Sequence, residues 1–362
     1  MSKKRTQLPT DPYESAKVAG LRYVVPDGPG IVRKRVGRGF SYIGTDGRPL
    51  NDKSELARIR SLVIPPAWTD VWICPSRTGH IQAIGRDAKG RKQYRYHPLY
   101  RRVRDVTKFS RMIAFAAALP KIRKKVQQDL ELPGLSKRKV LATVVRLLEA
   151  TSIRVGNDEY AKTNGSYGLT TMKDHHVEIS GRRLRFRFRG KSGLEHDIEL
   201  TDPKLAKIVR KCQCIPGEEL FQYMDDEGQV CRIHSEYVND YLHEITGEDF
   251  TAKDFRTWMG TGQAALALEE IGPGASQTEA KKNVVAAVKA VAAKLGNRPA
   301  TCRKYYVHPA ILDAYTQGTL FEALKTSSDS AAAYALRREE SAVLAIVQEQ
   351  QNKLLREAVK AA

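Results

Sequence analysis

The sequence predicts an α+β fold, with a small β-rich N-terminal domain followed by a mainly α-helical domain that carries a small β-hairpin insertion. Residues 21–96 contain short apolar runs bounded by Gly, Pro and Asp, which is typical of strands. After residue 98 the apolar residues recur at helical spacing, and only residues 168–200 return to alternation. We therefore expect domains at 1–98 and 99–325, with a C-terminal helix at 326–362.

In the first domain, Pro, Gly and polar residues separate the apolar runs. We expect residues 1–18 to be loose and residues 54–62 to form a short helix. The predicted strands are 21–25, 30–36, 40–44, 71–75, 80–85 and 92–97.

The segment GRDAKGRKQYRYH, residues 85–97, combines cations with aromatic residues. On a strand, Tyr94 and Tyr96 share one face and Arg95 takes the other, while Arg91 and Lys92 lie at the preceding turn. Cations for phosphates beside aromatics for bases or sugars suit a DNA-facing surface. A solvated charged hairpin with two core tyrosines fits the same pattern equally well.

The second domain is predicted to be helical at both ends of a β insertion. Ser136 is a candidate N-cap, and Lys191 lies in RGKSG, at the tip of the hairpin between 184–189 and 194–200. Further strands are expected at 168–172 and 176–179. The expected helices are 99–118, 119–130, 137–150, two that start near residues 202 and 234, 251–268, 281–295 and one from residue 330 onward.

The charge balance indicates a polyanionic partner. The chain has 61 Lys and Arg against 41 Asp and Glu, a net charge of +20 spread along its length. DNA or RNA is the default partner of such a protein, although a basic protein without a specific partner has the same composition. No apolar run approaches the ~20 residues of a membrane span. We therefore expect a cytoplasmic, nucleoid-associated protein with no membrane partner.

The cysteines do not predict a metal site. The five are scattered, which suits reduced cytosolic thiols. Cys212 and Cys214 lie near Cys231 and His234, but a second closely spaced cysteine pair is missing.

Four stretches hold residues suited to phosphate chemistry: 151–160 with Arg154, 189–193 with Lys191, 252–258 with Arg256, and 297–306 with Tyr306. A phenol of pKa ≈ 10 needs cations around it to lose its proton. Arginines stabilise a phosphate transition state, and a lysine can protonate a leaving oxygen.

Each stretch also has a simpler interpretation. Arg154 could pair with Asp158, and Arg256 could neutralise Asp254 or Glu269. Lys191 could be an exposed turn residue, and the tyrosine a core residue.

The order and spacing of these stretches resemble the catalytic domain of type IB DNA topoisomerases, especially the short poxviral and bacterial forms. The matching text is TSIRVGNDEY followed by GLTT, then RGKSGLEH, KDFRTW, and LGN with a tyrosine nine residues after its asparagine. The resemblance covers residues 100–320 by motif, and the β-rich first domain matches the family's layout. It implies two domains that form a clamp around duplex DNA.

Carried over by position, the resemblance makes Tyr306 the nucleophile, Lys191 the general acid, and Arg154 and Arg256 the residues that hold the scissile phosphate. Tyr160 resembles a DNA-backbone contact.

At Asn297 the poxviral and eukaryotic members have histidine, whereas bacterial members often have asparagine. An amide can donate a hydrogen bond but cannot carry positive charge, so phosphate binding is expected there and an acid–base role is in doubt. We also expect Tyr305 and Tyr306 to lie on one helix and to point about 100° apart.

The implied activity is relaxation of supercoiled double-stranded DNA by a monomer through a 3′-phosphotyrosyl intermediate, without ATP or a divalent metal. Neither a carboxylate cluster for Mg²⁺ nor a P-loop motif occurs in the sequence. A tyrosine recombinase shares the chemistry but usually has His-x-x-Arg where this chain has Lys253 in KDFR. An inactive DNA-packaging protein would share only the charge.

Overall fold

The computed structural model describes residues 12–37, 39–88, 90–225 and 227–360, apart from the side chains of 102, 104–110 and 354–360. Contacts divide the chain between Arg111 and Met112 into two compact units. Each contains its own sheet and its own buried apolar residues.

The first unit is built on a five-stranded antiparallel sheet of order β2-β1-β3-β4-β5. Its strands are β1 (Ile31–Val36), β2 (Gly39–Ile43), β3 (Thr69–Ile73), β4 (Ile81–Arg86) and β5 (Lys92–Tyr96). Its helices are α1 (Pro12–Val18) and α2 (Lys53–Ser61). Asp52 caps α2 by accepting a 2.7 Å hydrogen bond from Ser54 N. Ile59 of α2 packs in the core with Ile31, Val71, Ile73 and Ala83.

Two expectations for the first unit were wrong. Residues 12–18 form α1, although residues 1–11 of the segment expected to be loose lie outside the described part. Residues 21–25 are not a strand, and only Arg22 forms a bridge, to Gly79. The reason is local. Val24 N donates to the imidazole Nδ1 of His80 at 3.0 Å, so this backbone N–H bonds to a side chain rather than to the backbone of a neighbouring strand.

The second unit is mainly helical. Its helices are α3 (Pro98–Asp129, which begins in the first unit), α4 (Lys137–Thr151), α5 (Asp158–Asn164), α6 (Pro203–Cys212), α7 (Ser235–Thr246), α8 (Ala252–Ile271), α9 (Gln277–Leu295), α10 (Pro299–Tyr305), α11 (Pro309–Thr316), α12 (Thr319–Thr326) and α13 (Arg338–Lys360). Helix α8 lies against α4, α9, α11 and α13, and its Phe255 packs edge-on against Phe115 at 4.9 Å. The central position of α8 explains why even its Arg256 is buried.

The β insertion is a three-stranded antiparallel sheet of order β6-β7-β8. Its strands are β6 (Val177–Ser180), β7 (Arg183–Arg189) and β8 (Glu195–Thr201), and a separate hairpin joins β9 (Gln222–Met224) to β10 (Val230–Arg232). The turn Lys191–Gly193 closes the β7–β8 hairpin, with Ser192 in the left-handed region at φ 67°. Lys191 therefore lies at a hairpin tip, as expected; residues 183–201 are called the Lys191 hairpin below.

Three expectations for the second unit were wrong. Residues 169–171 form a short 3₁₀ turn rather than a strand. Residues 98–129 form one helix that continues through Pro120. The last helix starts at Arg338 rather than 330, where Arg338 N donates to Asp329 Oδ1 at 2.8 Å and Arg337 N to Glu340 Oε2 at 2.9 Å.

A buried charge network ties α13 to the rest of the second unit. Arg123 donates to Glu149 and to Glu340, each at 2.7 Å. Trp258 Nε1 also donates to Glu340, at 3.1 Å. All three charged residues are at most 9% exposed. Removing one member of such a network leaves a buried charge uncompensated, which is strongly destabilising.

Among the described residues, no helix combines the length and apolar character needed to cross a membrane.

Candidate active site

The loop that carries Arg154 is fixed by close backbone packing. Helix α4 ends at Ser152, which takes a left-handed conformation with φ 56°. Gly168 lies so near the loop that a Cβ on it would be 2.5 Å from Arg154 O. Leu169 N donates to that same carbonyl at 2.8 Å, and Thr170 N donates to Val155 O at 2.6 Å. The residues expected to form a strand at 168–172 instead hold the Arg154 loop in place.

The side chain of Arg154 reaches the end of α9. Its Nη2 donates to Gly296 O at 3.0 Å and to Asn297 Oδ1 at 2.5 Å. Burial, with a further contribution from the nearby Arg256 cation, lowers the Arg154 pKa to about 10. The guanidinium therefore stays charged at neutral pH.

Arg256 lies on α8 and is only 4% exposed. Its guanidinium donates to Ser152 O at the end of α4 and, at 2.7 Å, to Leu295 O at the end of α9. Burial lowers its pKa as well. Its Nε is buried and has no hydrogen-bond partner within the described residues. A cation with a spare donor is thus held where two helices end.

Asn297 follows Gly296, the left-handed C-cap of α9 with φ 59°. A guanidinium can only donate, so the bond from Arg154 fixes the carbonyl side of the amide and turns Nδ2 the other way. Nδ2 is buried and, within the described chain, has no partner. An unpaired buried donor costs about 1–3 kcal/mol, so an acceptor at this position would be favourable.

Tyr306 is held against α8. A Cβ on Gly260 would lie 2.7 Å from Tyr306 O, so only glycine permits this approach. The hydroxyl of Thr261 lies 3.2 Å from Tyr306 O and accepts a 3.1 Å hydrogen bond from His308 N. The Tyr306 ring centroid is 5.2 Å from Cζ of Arg256. The phenol therefore lies beside a buried cation.

The two adjacent tyrosines were expected to share a helix, but they do not. Helix α10 ends at Tyr305, and Tyr306 is its C-cap residue with φ −129° and ψ −11°. Tyr305 is 44% exposed, whereas Tyr306 is half-buried. The carbonyl that approaches Gly260 therefore belongs to a residue just past the end of the helix.

The simpler pairings considered for the two arginines are not those that the structure contains. Asp158 lies 3.1 Å from His234, and Glu269 forms an ion pair of 2.7 Å with Arg338. Asp254 accepts from the backbone N–H of the N-cap of α8 at 2.8 Å. The structure instead brings together Arg154, Arg256 and Asn297, called the donor cluster below, and places Tyr306 beside it.

Lys191 is exposed at the tip of its hairpin and, within the described chain, makes no ion pair. Its hairpin nevertheless contacts the residue next to Asn297 of the donor cluster. The ring of His196 and the side chain of Leu194 lie against Gly296, the residue before Asn297. They also line a cleft of about 580 Å³ with Asn297.

Sequence reasoning did not single out His196, Gly260 or Thr261. His196 is the last residue of the motif RGKSGLEH, and Gly260 and Thr261 follow the motif KDFRTW. Their closeness to these motifs was the only feature of the sequence that could have pointed to them.

The predicted DNA-facing residues of the first unit lie on the edge strand β5. Tyr94 and Tyr96 are 41% and 36% exposed and their rings stack at 5.8 Å, with exposed Lys92 on the same face. Arg95 points to the other face and donates to Val63 O at 2.6 Å. The predicted alternation is therefore present, and the two tyrosines are not core residues.

The other two predicted DNA contacts are also exposed. Arg91 forms a 2.7 Å ion pair with Asp87, and its side chain is 53% exposed. Tyr160 lies on α5 and is 46% exposed.

Within the described residues, no group of three or more His, Cys, Asp or Glu side chains is placed to hold a metal ion. Cys212 is buried, and burial raises the pKa of its thiol to about 12.

Comparisons with known proteins identify the family of the chain. Residues 94–331 match the family described as eukaryotic DNA topoisomerase I, catalytic core, and residues 39–87 match the bacterial DNA topoisomerase IB N-terminal domain. All of the donor cluster, Lys191 and Tyr306 lie within the first match.

Viral relatives cover most of the chain. A DNA topoisomerase 1B of Acanthamoeba polyphaga mimivirus is 32% identical over 299 residues, which is 81% of this chain and 89% of that protein. A DNA topoisomerase 1B of Vaccinia virus (strain Copenhagen) is 23% identical over 64% of this chain and 71% of its own length. DNA topoisomerase 1 of Rabbit fibroma virus (strain Kasza) is 26% identical over the same shares.

Among solved structures, the XerH site-specific recombinase bound to a palindromic difH substrate aligns with a TM-score of 0.35 and 12% identity. The alignment covers 58% of this chain and about half, 51%, of the recombinase chain. A likeness of that size carries no argument about function.

Proposed function

The chain belongs to the type IB DNA topoisomerase family, and from that premise we propose that it relaxes supercoiled DNA by cutting and resealing one strand without ATP. The observation that carries the proposal is a pair of buried donors, Arg256 Nε and Asn297 Nδ2, which lie beside Tyr306 and have no hydrogen-bond partner among the described residues. Both donors belong to groups already fixed by other hydrogen bonds. A phosphodiester supplies the anionic acceptors that these donors lack.

Tyr306 is the proposed nucleophile. Its phenolate oxygen attacks phosphorus, the bond from phosphorus to the 5′-oxygen breaks, and a 3′-phosphotyrosyl link remains. Cζ of the buried Arg256 guanidinium lies 5.2 Å from the centroid of the Tyr306 ring, so a cation faces the reacting side chain. Because the covalent link conserves the energy of the broken bond, attack by the free 5′-hydroxyl reverses the step and needs no nucleotide cofactor.

The donor cluster is proposed to hold the non-bridging oxygens. Arg154 uses Nη2 for Gly296 O and Asn297 Oδ1, which leaves Nη1 and Nε for phosphate. Donors that are fixed before the reaction stabilise the extra negative charge of the transition state without reorganising. Asn297 contributes a neutral hydrogen bond in this scheme.

Lys191 is the proposed general acid, which gives a proton to the departing 5′-oxygen. Support comes from its place on a hairpin that touches Gly296. The proposal also includes DNA contacts by Tyr160 and, in the domain 1–98, by the exposed β5 face. Residues 99–325 would form the catalytic core, followed by a C-terminal segment, 326–362, that contains α13. We further propose a monomer that acts in the bacterial cytoplasm on the nucleoid and needs no divalent metal.

Incubation with supercoiled plasmid in EDTA and without ATP tests the proposal. We expect relaxation in single linking-number steps. Joining of two DNA sites would instead indicate a recombinase, and a gel shift without relaxation would indicate a packaging protein. An absolute requirement for a divalent metal would rule out the mechanism.

A further inference from the structure

The ring of His196 is packed between two glycines that each precede a proposed functional residue. A Cβ on Gly190 would lie 2.6 Å from both Cδ2 and Nε2 of the ring. A Cβ on Gly296 would lie 2.8 Å from Nε2 and closer still to Cε1. At distances this short a Cβ would clash with the ring, so the imidazole touches the backbone of both glycines at its Nε2 edge.

The two glycines belong to different parts of the site. Gly190 comes directly before Lys191 on the hairpin, and Gly296 comes directly before Asn297 at the end of α9. Gly296 O also accepts the hydrogen bond from Arg154. One imidazole therefore joins the backbone next to the proposed acid to the backbone that anchors the donor cluster.

The orientation of the ring is fixed from its own sheet. The ring stacks on Phe188 with centroids 4.9 Å apart and planes 14° apart. The hairpin closes around it, because Gly190 N donates to Leu194 O at 2.7 Å. A stacked ring with a constrained tip has little freedom to let the hairpin shift.

We infer that His196 is a positioning residue, which holds the Lys191 hairpin against the Gly296–Asn297 turn so that the proton donor and the phosphate-binding donors keep one geometry. This inference rests on the proposed function, because it assigns His196 a role through Lys191. The residue acts by shape, as a flat ring between two Cα atoms, and it transfers no proton.

The electrostatic surroundings agree with a neutral ring. Burial lowers the pKa of His196, and the cations Arg154 and Arg256 lower it further. A charged imidazole at this position would face two guanidinium groups across the turn. A neutral ring packs there without that repulsion.

The test is single-turnover cleavage at a mapped site by His196→Ala, Lys191→Ala and the double variant. Loss of a general acid costs roughly 10²–10⁴ in rate. The cleavage rate of His196→Ala should fall at least about 10-fold, but by no more than the rate of Lys191→Ala falls. The double variant should be no slower than Lys191→Ala alone. His175→Ala, an exposed histidine of the same insertion, is the matched control and should cleave as the wild type does.

DNA with sulfur in place of the bridging 5′-oxygen separates positioning from general packing. A thiolate leaves without a proton, so both His196→Ala and Lys191→Ala should approach the wild-type rate on it. If Lys191→Ala recovers and His196→Ala does not, the inference fails while the proposed acid survives. If neither recovers, the proposed role of Lys191 fails and the inference falls with it.

Adding a methyl group at Gly190 gives a second test, measured with and without the imidazole. Gly190 has φ −95°, which any residue adopts, so Gly190→Ala costs only the clash of its methyl group with the imidazole. We expect Gly190→Ala to slow cleavage in the wild type but not in His196→Ala, where the ring is gone. Equal slowing in both backgrounds would overturn the contact as the source of the effect.

Discussion

Arg154, Arg256 and Asn297 are fixed by backbone carbonyls and helix ends, whereas Lys191 lies on an exposed hairpin tip and makes no ion pair within the described chain. The donor cluster is thus organised before any substrate arrives. The placement of Lys191, the proposed proton donor, depends instead on its hairpin. The contrast predicts that the proposed charge stabilisation and the proposed proton delivery can be disturbed separately, and the following predictions use that separation.

The largest effect should come from the nucleophile. Tyr306→Phe keeps the ring beside Arg256 but removes the attacking oxygen, so relaxation and covalent adduct should both be abolished while DNA binding is retained. Tyr305→Phe is the matched control and should stay active, because the Tyr305 side chain is 44% exposed whereas Tyr306 is half-buried. Denaturing gels that detect protein-linked DNA measure the adduct. An adduct in the Tyr306 variant, mapped to Tyr305 by mass spectrometry, would contradict the assignment.

Removing the proton donor should leave the donor cluster intact. Lys191→Ala should slow cleavage by roughly 10²–10⁴, and DNA affinity should change little. On the 5′-thio substrate the rate should return close to that of the wild type. Rapid-quench cleavage of both substrates gives the comparison. A variant that stays slow on both substrates would place Lys191 on the phosphate rather than on the leaving group.

Disturbing the donor cluster should produce the opposite signature. Asn297→Ala loses the unpartnered Nδ2 donor, and by analogy with oxyanion-hole deletions the cost is on the order of 10²–10³ in rate. The thio substrate should not rescue this variant, because the leaving group is not its defect. Asn297→His should retain substantial activity through an imidazole N–H. An Asn297→Ala enzyme as fast as wild type would exclude the residue from the site.

The smallest effect should come from the support of the nucleophile. Thr261→Val removes the hydroxyl that accepts from His308 N and lies near Tyr306 O. A lost hydrogen bond is worth about 0.5–1.5 kcal/mol, and if that loss appears in the barrier the rate falls roughly 2- to 13-fold. Thr143→Val is the control, since among the described residues the hydroxyl of that buried threonine bonds only to Lys139 O of its own helix. Equal cleavage rates for the two variants would remove Thr261 from the site.

Local patterns predicted most of the elements. The alternation around Tyr94 and Tyr96, the Ser136 N-cap and the hairpin tip at Lys191 each depend on neighbouring residues, and the structure contains all three. Segments whose partners are distant were predicted less well. Residues 168–172 look like a strand, but their backbone bonds to the Arg154 loop instead.

The contacts that build the site could not be predicted from spacing. Arg154 bonds a carbonyl 142 residues away, and Arg256 bonds one 104 residues away. Both acceptors are backbone atoms, which carry no residue-specific pattern in a sequence. The resemblance of motifs identified the two arginines, but not the carbonyl oxygens that fix their side chains. The same limit applies to His196, whose partners are two glycine backbones.

The buried carboxylate of Glu340 lies beyond the end of the family match but bonds to residues within it. The match to the family's catalytic core ends at residue 331, yet Glu340 lies beyond it and bonds both Arg123 and Trp258. Trp258 is two residues from Arg256, and Glu149, the other partner of Arg123, is five residues from Arg154. The segment beyond the family match thus completes the buried charge network beneath the matched core. The family match and the packed structural unit therefore end at different residues of this chain.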